Sequence, residues 1–215
     1  MNKSVVKVDL PFSLIAALIL LVTVVVFNST TSFIGVGFIF IFSMYTYLRF
    51  KFSEKTVVPK EDVSVKDSKI AGLLIFGSLL LYLGGRFTID SVLFISESLG
   101  INEFIISATV LALGTSLPEL ITAVRASLKQ QSDLAVGNVV GSNIFNILWV
   151  VGIASLFKDI VFPKIIMTDL FLLAVASFFL FLFLFFGKKK RIDRSEGFIL
   201  VFMYLLYVLF IIIRG

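Results

Sequence analysis

Residues 10–48 contain no charged side chain, and most of the remaining chain is divided into similar apolar stretches. A transmembrane helix needs about 20 consecutive apolar residues, because the hydrocarbon core of a bilayer is about 30 Å thick. Backbone polar groups find no water there, so only helices and closed barrels cross it. With 59% hydrophobic residues in a chain of 215, the sequence predicts an all-α integral membrane protein.

Charged or polar breaks divide the chain into seven predicted transmembrane helices. They lie near residues 10–28, 33–49, 69–90, 103–129, 133–156, 166–187 and 196–213. The first apolar run continues into a second one without a small-residue cleavage site, so it does not read as a signal peptide. We therefore expect the first span to stay in the membrane.

The chain has no Cys and no His. Their absence excludes disulfides, thiolate or imidazole metal sites and His-dependent catalytic dyads. We therefore expect no enzymatic activity, no catalytic residue and no cofactor. The net charge of +5 is not accompanied by a basic surface interleaved with aromatic residues, which argues against nucleic acid as a partner.

The distribution of Lys and Arg predicts the orientation of the chain. With seven spans, 15 of the 19 basic residues fall on one side of the membrane. Cytoplasmic loops carry the positive excess. The amino terminus, the 49–69 loop, the 129–133 turn and the 188–195 loop are therefore predicted to face the cytoplasm, and the carboxyl terminus the outside.

Residues 9–48 resemble residues 169–208 when the two segments are aligned without a gap. Nine positions are identical: Asp9/Asp169, Leu10/Leu170, Ala16/Ala176, Leu20/Leu180, Gly37/Gly197, Phe38/Phe198, Ile39/Ile199, Phe42/Phe202 and Tyr47/Tyr207. Roughly half as many identities are expected by chance in segments this apolar. The copies start five spans apart, and an odd number of crossings makes them inverted. Inverted repeats around a midplane site are typical of secondary transporters.

A five-span repeat divides the chain into unequal parts. Residues 69–215 are predicted to form one complete five-helix half, and residues 50–68 a cytoplasmic linker. Residues 1–49 correspond to the last two helices of the inverted other half. We expect the three remaining helices of that half on a missing upstream segment or on a complementing subunit.

Glu119 is the lone charged residue between Phe104 and Val124, inside a predicted span. An ionisable group at membrane depth is costly and usually lies against a partner, a cavity or a transported ion. Pro118 cannot donate a hydrogen bond to the carbonyl of Gly114, so the helix is predicted to kink or break and to free backbone oxygens there.

Two polar stripes are predicted around this position. The first offers a carbonyl, two hydroxyls and a carboxylate on one helical face, at Ala112, Thr115, Ser116 and Glu119. The second lies in the following span, with polar side chains four residues apart, at Asn138, Ser142 and Asn146. Hard cations such as Na⁺ and Ca²⁺ prefer oxygen ligands of this kind.

Several of these residues also have structural explanations. A proline kink is common in membrane helices, and Gly137 and Gly141 form a small-xxx-small surface that favours close helix packing. The Thr115 hydroxyl alone can bond to a carbonyl of the preceding turn. Asn138 is explained equally well by a structural and by a functional role. A purely structural role is hardest to justify for Glu119, so we favour a functional role for this residue.

The Gly-Thr-Ser-Leu-Pro-Glu segment at 114–119, the acidic turn at Asp133 and the Gly-Ser-Asn-Ile-Phe-Asn block at 141–146 carry a resemblance to a known family. Residues 107–156 resemble, nearly end to end, the second signature repeat of the cation/calcium exchanger superfamily, in particular its sodium/calcium exchanger branch. Residues 1–60 resemble the two spans and the linker that follow the first repeat. The resemblance implies a ten-helix fold in two inverted halves.

The resemblance also implies an ion site with Glu119 as the central carboxylate. The other implied ligands are Thr115, Ser116, the Ala112 carbonyl, Ser142 and Asn146. Potassium-coupled relatives tend to carry a carboxylate at the position of Asn146. Proton/calcium exchangers usually show Gly-Asn-x-x-Glu where this chain has Gly-Asn-Val-Val-Gly at 137–141. Transport of Ca²⁺ coupled to Na⁺ is therefore expected.

The chain departs from the family pattern because it lacks the first signature repeat. Ca²⁺ prefers six to eight oxygen ligands, and a single carboxylate beside it leaves a net positive charge in a low-dielectric medium. We therefore expect an antiporter that works by alternating access in a plasma or inner membrane, as part of a longer or complemented protein. The alternatives are a non-transporting membrane subunit or scaffold, a proton/calcium exchanger and a cation channel.

Overall fold

The structure, a computed structural model, describes residues 5–52, 67–101, 103–107, 109, 112–186 and 192–214. Most of the predicted linker at 50–68 and the basic residues at 188–191 lie outside these ranges. The helices are α1 (Leu10–Phe27), α2 (Ser32–Phe52), α3 (Asp67–Leu99), α4 (Glu103–Ile106), α5 (Ala112–Leu128), α6 (Ser132–Ile144), α7 (Val151–Phe157), α8 (Ile166–Phe186) and α9 (Arg194–Arg214). An amino-terminal π-helix (Val5–Asp9) precedes α1, and a central π-helix (Phe145–Val150) joins α6 to α7.

Within the described residues, six helical segments are long and apolar enough to cross a membrane. They are Val5–Phe27, Ser32–Phe52, Lys69–Leu99, Ser132–Phe157, Ile166–Phe186 and Arg194–Arg214. These segments confirm six of the predicted helices, including the joined α6, central π-helix and α7. The seventh predicted span, 103–129, is described as α4 and the 17-residue α5, with residues outside the described ranges between them.

The third span is longer than predicted, because α3 continues to Leu99 instead of ending near residue 90. The prediction stopped at the charges of Arg86 and Asp90. These side chains form an exposed ion pair one helical turn apart, with 3.8 Å between Nε and Oδ2, and a helix accommodates such a pair. The helix ends instead before Gly100, whose φ of +63° is a backbone conformation that glycine adopts readily.

The described residues form two compact units. One consists of those within Met1–Glu54 and Pro118–Tyr207, and the other of those within Lys55–Leu117 and Val208–Gly215. In the first unit α1 packs against α8, and α2 packs against α7 and the central π-helix. In the second unit α3 contacts α4.

The α1–α8 contact joins the two segments that the sequence repeat aligns. Buried positions on α1 include Leu10, Ala17 and Leu20, and on α8 they include Leu170 and Ser177. Leu10 and Leu170 are an aligned pair, as are Ala17 and Ser177. The two helices therefore contact each other through equivalent faces, as elements related by a two-fold axis do.

The strands show that α1 and α8 run in opposite directions. Strand β1 (Ser29–Thr30) follows α1 and pairs antiparallel with β2 (Ile160–Val161), which precedes α8. The amide of Phe162 also donates to the carbonyl of Asn28 (3.0 Å). The end of α1 therefore lies beside the beginning of α8, which is the arrangement that an inverted repeat requires.

The closest helix contact in this unit is between α2 and α7, at Gly35 and Gly152. A Cβ atom added to Gly35 would lie 2.7 Å from the Gly152 carbonyl oxygen and 2.9 Å from Ser155 Cβ. The sequence placed such a contact at Gly137 and Gly141 instead. Among the described residues, a Cβ on Gly137 would meet only Val5, at 3.8 Å, and one on Gly141 would meet nothing within 4 Å. The close approach therefore belongs to α2 and α7.

Asp9, at the end of the amino-terminal π-helix, is buried in an ion pair that joins distant parts of the chain. Arg49 Nε lies 3.1 Å from Asp9 Oδ1, and the Tyr45 hydroxyl donates to the same oxygen (3.1 Å). A buried carboxylate needs compensation of this kind, because an isolated charge is costly away from water. The pair fastens the beginning of α1 to the last turns of α2.

Candidate ion-binding site

Glu119 lies in α5 within the first compact unit and is half-buried. Its Oε2 atom is buried and has no hydrogen-bond partner among the described residues. Neither the Arg49–Asp9 nor the Arg86–Asp90 ion pair involves Glu119. A buried carboxylate oxygen without a partner is costly, and it is the natural acceptor for a cation or a proton donor.

Asn138 brings α6 to the same position on α5. Its Nδ2 atom donates to the backbone carbonyl of Glu119 over 3.3 Å. The Thr122 hydroxyl donates to the carbonyl of Pro118 (2.8 Å). Sequence analysis left the role of Asn138 open and did not include it among the ligands. The only signal was its four-residue spacing from Ser142, and the structure gives it a positioning contact with the backbone of Glu119.

The other α5 residues of the predicted site belong to the second compact unit. Ala112, Thr115 and Ser116 are exposed there. The Thr115 hydroxyl donates to the Ala112 carbonyl (3.1 Å), which is the local bond that offers a structural explanation for this residue.

The predicted ligands on the next span lie on either side of a change in helix type. Ser142 is in α6, and its hydroxyl donates to the carbonyl of Val139 (3.0 Å). Asn146 is exposed and lies in the central π-helix. The sequence predicted a regular helix with polar side chains four residues apart. A π-helical turn alters that spacing, and such turns are frequent at functional sites.

The helix through Pro118 remains α-helical on both sides, because α5 runs from Ala112 to Leu128 with the proline inside it. Of the two predicted effects of Pro118, a kink or a break, the break is therefore absent. Proline still removes one backbone donor, so the Gly114 carbonyl loses its usual intrahelical partner. This loss is the part of the prediction that follows from covalent structure alone.

The described residues contain no group of three or more His, Cys, Asp or Glu side chains that could hold a metal ion. Of the six predicted ligand residues, only Glu119 carries a carboxylate. A cavity of about 600 Å³ in the first unit lies among α5, α6, α8 and α9, but none of those six residues lines it. The ligand set by itself is poor in negative charge for a divalent cation.

Replacing Asn138 with Leu is expected to lower the thermal unfolding midpoint. The substitution removes the donor to the Glu119 carbonyl, and a hydrogen bond of this type contributes about 0.5–1.5 kcal/mol. The measurement is thermal unfolding of the purified protein in calcium-free detergent solution. Ser142→Ala is the matched control, since its hydroxyl bonds within its own helix. An unchanged midpoint for Asn138→Leu would contradict the positioning role.

Known proteins match the part of the chain that contains the candidate site. The family model described as sodium/calcium exchanger protein matches residues 69–213, which is more than half of the chain. The chain belongs to the sodium/calcium exchanger protein family. This exchanger-family match covers α3 to α9 and so includes every predicted ligand residue.

Individual relatives agree with the family. The inner membrane protein YrbG of Escherichia coli K12 is 38% identical over 141 residues, covering 65% of this chain and 42% of its own. The sodium/calcium exchanger MaX1 of Methanosarcina acetivorans is 43% identical over 84 residues, covering 39% of this chain and 24% of its own. This exchanger-family chain thus spans less than half the length of these curated relatives.

The same family appears among solved structures. The sodium-calcium exchanger NCX_Mj, soaked with 10 mM Na⁺ and 10 mM Sr²⁺, superimposes with a TM-score of 0.67 at 26% identity. The match covers 97% of this chain and 66% of the exchanger. The exchanger-family chain therefore has an integral membrane fold of the ten-helix exchanger type and spans part of it.

Proposed function

We propose that this chain belongs to a secondary active antiporter that exchanges Na⁺ for Ca²⁺ by alternating access. The observation that carries the proposal is the buried Glu119 Oε2 atom without a partner among the described residues, inside an exchanger signature segment. An ionisable group at membrane depth marks an ion pathway. Relatives named as sodium/calcium exchangers support the choice of ions.

The proposed ligands are the Glu119 carboxylate, the hydroxyls of Thr115, Ser116 and Ser142, the Ala112 carbonyl and Asn146. Na⁺ and Ca²⁺ are of similar hardness and compete for the same oxygens. When Na⁺ enters down its gradient it displaces Ca²⁺, which leaves on the other side. The transport needs no covalent step, so no catalytic group is required.

A second carboxylate is part of the proposal. One Glu carries a single negative charge, whereas buried Ca²⁺ needs fuller compensation in a medium of low dielectric constant. We propose that residues 1–49 and 69–215 belong to two inverted halves, and that a further segment or subunit of the first half supplies this carboxylate. The proposed orientation, with a cytoplasmic amino terminus in a plasma or inner membrane, rests on the distribution of basic residues.

Sodium-gradient-driven calcium uptake into liposomes tests the function. The purified chain is reconstituted alone and together with the part of NCX_Mj that lies outside the matched region. We expect uptake from the complemented vesicles only when Na⁺ is loaded inside, and no change when K⁺ is omitted. Empty vesicles give the background.

The antiport mechanism, the coupling to Na⁺ and the need for a second carboxylate would each be contradicted by a different uptake result. Uptake without a Na⁺ gradient would indicate a channel, and uptake that requires K⁺ would contradict Na⁺ as the only coupling ion. Robust uptake by a demonstrated monomer of this chain alone would contradict the need for a second carboxylate. No uptake from either preparation would count against the antiporter.

A further inference from the structure

A second cavity of the first compact unit lies between α8 and α9. Its volume is about 390 Å³, and small-molecule pockets in proteins measure about 300–1,000 Å³. The lining is mainly apolar and includes Ala176 and Leu200. Among its described lining residues, the polar side chains are Asp169, Tyr204 and Tyr207. None of the six proposed ion ligands lines this cavity, so it is separate from the candidate ion-binding site.

The other copy of the repeat shows what a carboxylate at this position binds. Asp169 aligns with Asp9, and Asp9 Oδ1 lies 3.1 Å from Arg49 Nε. The Tyr45 hydroxyl donates to the same oxygen (3.1 Å). Both partners come from α2, the helix that follows. In the first copy, the carboxylate therefore accepts a nitrogen cation on an alkyl chain together with a phenol.

The second copy keeps the carboxylate but not the arginine. The positions that align with Tyr45 and Arg49 are Leu205 and Leu209 on α9. In the part of the chain that the structure describes, no Lys or Arg lines the cavity beside Asp169. The space next to this carboxylate is therefore open to a cation that the chain does not itself supply.

The lining of the cavity favours an organic cation over a metal ion. Na⁺ and Ca²⁺ bind several oxygen ligands, whereas the lining here is mainly hydrocarbon. Tyr204 and Tyr207 are three residues apart and lie on one face of α9. Aromatic rings attract an ammonium group through their faces, and a carboxylate binds it by a charge-assisted hydrogen bond. The carboxylate and the two rings together suit an ammonium group.

The depth of the cavity suits an apolar chain attached to that ammonium. Asp169 lies in the first turn of α8, at the end of a segment long and apolar enough to cross a membrane. From there the cavity extends to Ala176 and Leu200. Asp169 and Ala176 are seven residues apart, which is about 10 Å along a helix. The charged end is thus at the boundary of the span and the apolar end inside it.

We propose that the cavity between α8 and α9 binds an alkylammonium ion, with its nitrogen against Asp169 and its chain directed toward Ala176. The ion takes the place that the Arg49 side chain has in the first copy. The ammonium group belongs either to a free amine or to the headgroup of an amine-containing phospholipid. This inference does not depend on the proposed function, because it uses no residue of the candidate ion-binding site.

Isothermal titration calorimetry of the purified chain with hexylammonium tests the proposal. The protein is kept in micelles of an uncharged maltoside detergent, and empty micelles give the background. We expect saturable binding of hexylammonium and much weaker binding of hexanol and hexanesulfonate, which have the same chain but no positive charge. Asp169→Asn should weaken hexylammonium binding by about tenfold or more, because it removes a contact with a charged group. Asp159→Asn, at an exposed position shortly before α8, is the matched control and should bind as the wild type does.

Two further substitutions test the rings and the apolar end. Tyr204→Leu should weaken binding several-fold, whereas Tyr47→Leu, at an exposed position on α2, should not. Ala176→Phe fills the inner end of the cavity and should weaken hexylammonium binding more than propylammonium binding. Equal binding of hexylammonium and hexanol, or unchanged binding by Asp169→Asn, would overturn the proposal.

The source of the ammonium is tested by adding phosphatidylethanolamine to the micelles. Competition with hexylammonium would identify the lipid headgroup as the occupant, and an unchanged affinity would identify a free amine. Displacement of hexylammonium by equal concentrations of Na⁺ would contradict a site built for an organic cation. The readout needs no transport, so failure of calcium exchange leaves it interpretable.

Discussion

Replacing Glu119 with Gln is expected to abolish the stabilisation of the protein by calcium. Ligands that bind the native state raise its stability by RT ln(1 + [L]/Kd), about 2.7 kcal/mol at a hundredfold excess over Kd. The wild-type chain, complemented as in the transport assay, should therefore unfold at a higher temperature when Ca²⁺ is added. The amide of Gln keeps the shape of the side chain but lacks the negative charge that a divalent cation requires, so the increase should vanish.

The same substitution should have the opposite effect in ion-free solution. Glu119 Oε2 is buried without a partner among the described residues, and a neutral amide removes the cost of an uncompensated charge. The unfolding midpoint of Glu119→Gln without Ca²⁺ should then equal or exceed that of the wild type. A scaffold in which Glu119 pairs with a neighbouring helix predicts a decrease instead.

Glu97→Gln is the matched control for both measurements. Glu97 is exposed on α3, so its neutralisation should change neither the unfolding midpoint nor the calcium effect. Differential scanning fluorimetry of wild type, Glu119→Gln and Glu97→Gln, each with and without Ca²⁺, gives all six unfolding midpoints. A calcium-induced increase that persists in Glu119→Gln would show that the ion binds elsewhere.

Replacing Gly35 with Ala is expected to destabilise the protein substantially. The added methyl group would lie 2.7 Å from the Gly152 carbonyl oxygen and 2.9 Å from Ser155 Cβ. Because both neighbours are held by helix geometry, α2 must move away from α7. Overpacking of a close contact costs about 1–3 kcal/mol. A clear decrease of the thermal unfolding midpoint should result.

Gly37→Ala provides a control of opposite sign on the same helix. A Cβ at Gly37 meets nothing within 4 Å among the described residues. Alanine is favoured over glycine in a helix by about 1 kcal/mol, so this variant should unfold at the same or a higher temperature. Equal effects of the two substitutions would mean that α2 and α7 are not in close contact.

The helices were predictable from sequence because apolar length and charged breaks are local properties. The boundaries of α2 and α8 agree with the predicted spans within a few residues. The end of α3 was wrong because a charge was taken as the end of a span, whereas Arg86 and Asp90 pair along the helix. A prediction that ends a span at each charged residue does not take into account that two opposite charges one helical turn apart can pair.

Contacts between segments distant in the sequence were harder to predict. Asp9 was identified as an identical position of the repeat, but its partner Arg49 is forty positions away and only packing brings them together. The close glycine contact was assigned to Gly137 and Gly141, which share a favourable spacing, instead of Gly35 and Gly152. Spacing within one helix indicates which residues can pack closely, and only the fold decides which of them meet another helix.

For the candidate site, Glu119 could be identified from its isolation in an apolar segment, and its lack of a partner among the described residues agrees with that argument. The π-helix at Asn146 and the Asn138 bond to the Glu119 backbone could not be predicted. Both depend on how α6 adjusts to its neighbours, which a helical periodicity of 3.6 residues does not encode.

The link between β1 and β2 limits how this protein can move. The strand pair, the bond of 2.8 Å between the hydroxyl of Ser155 and Thr30 Oγ1, and the Gly35–Gly152 contact all join the α1–α2 hairpin to the segment from α7 to α8. Separating them would break all three at once, whereas packed interfaces tend to shift as wholes. We expect α1, α2, α7 and α8 to form a rigid body, with the hinges of any opening and closing cycle outside it.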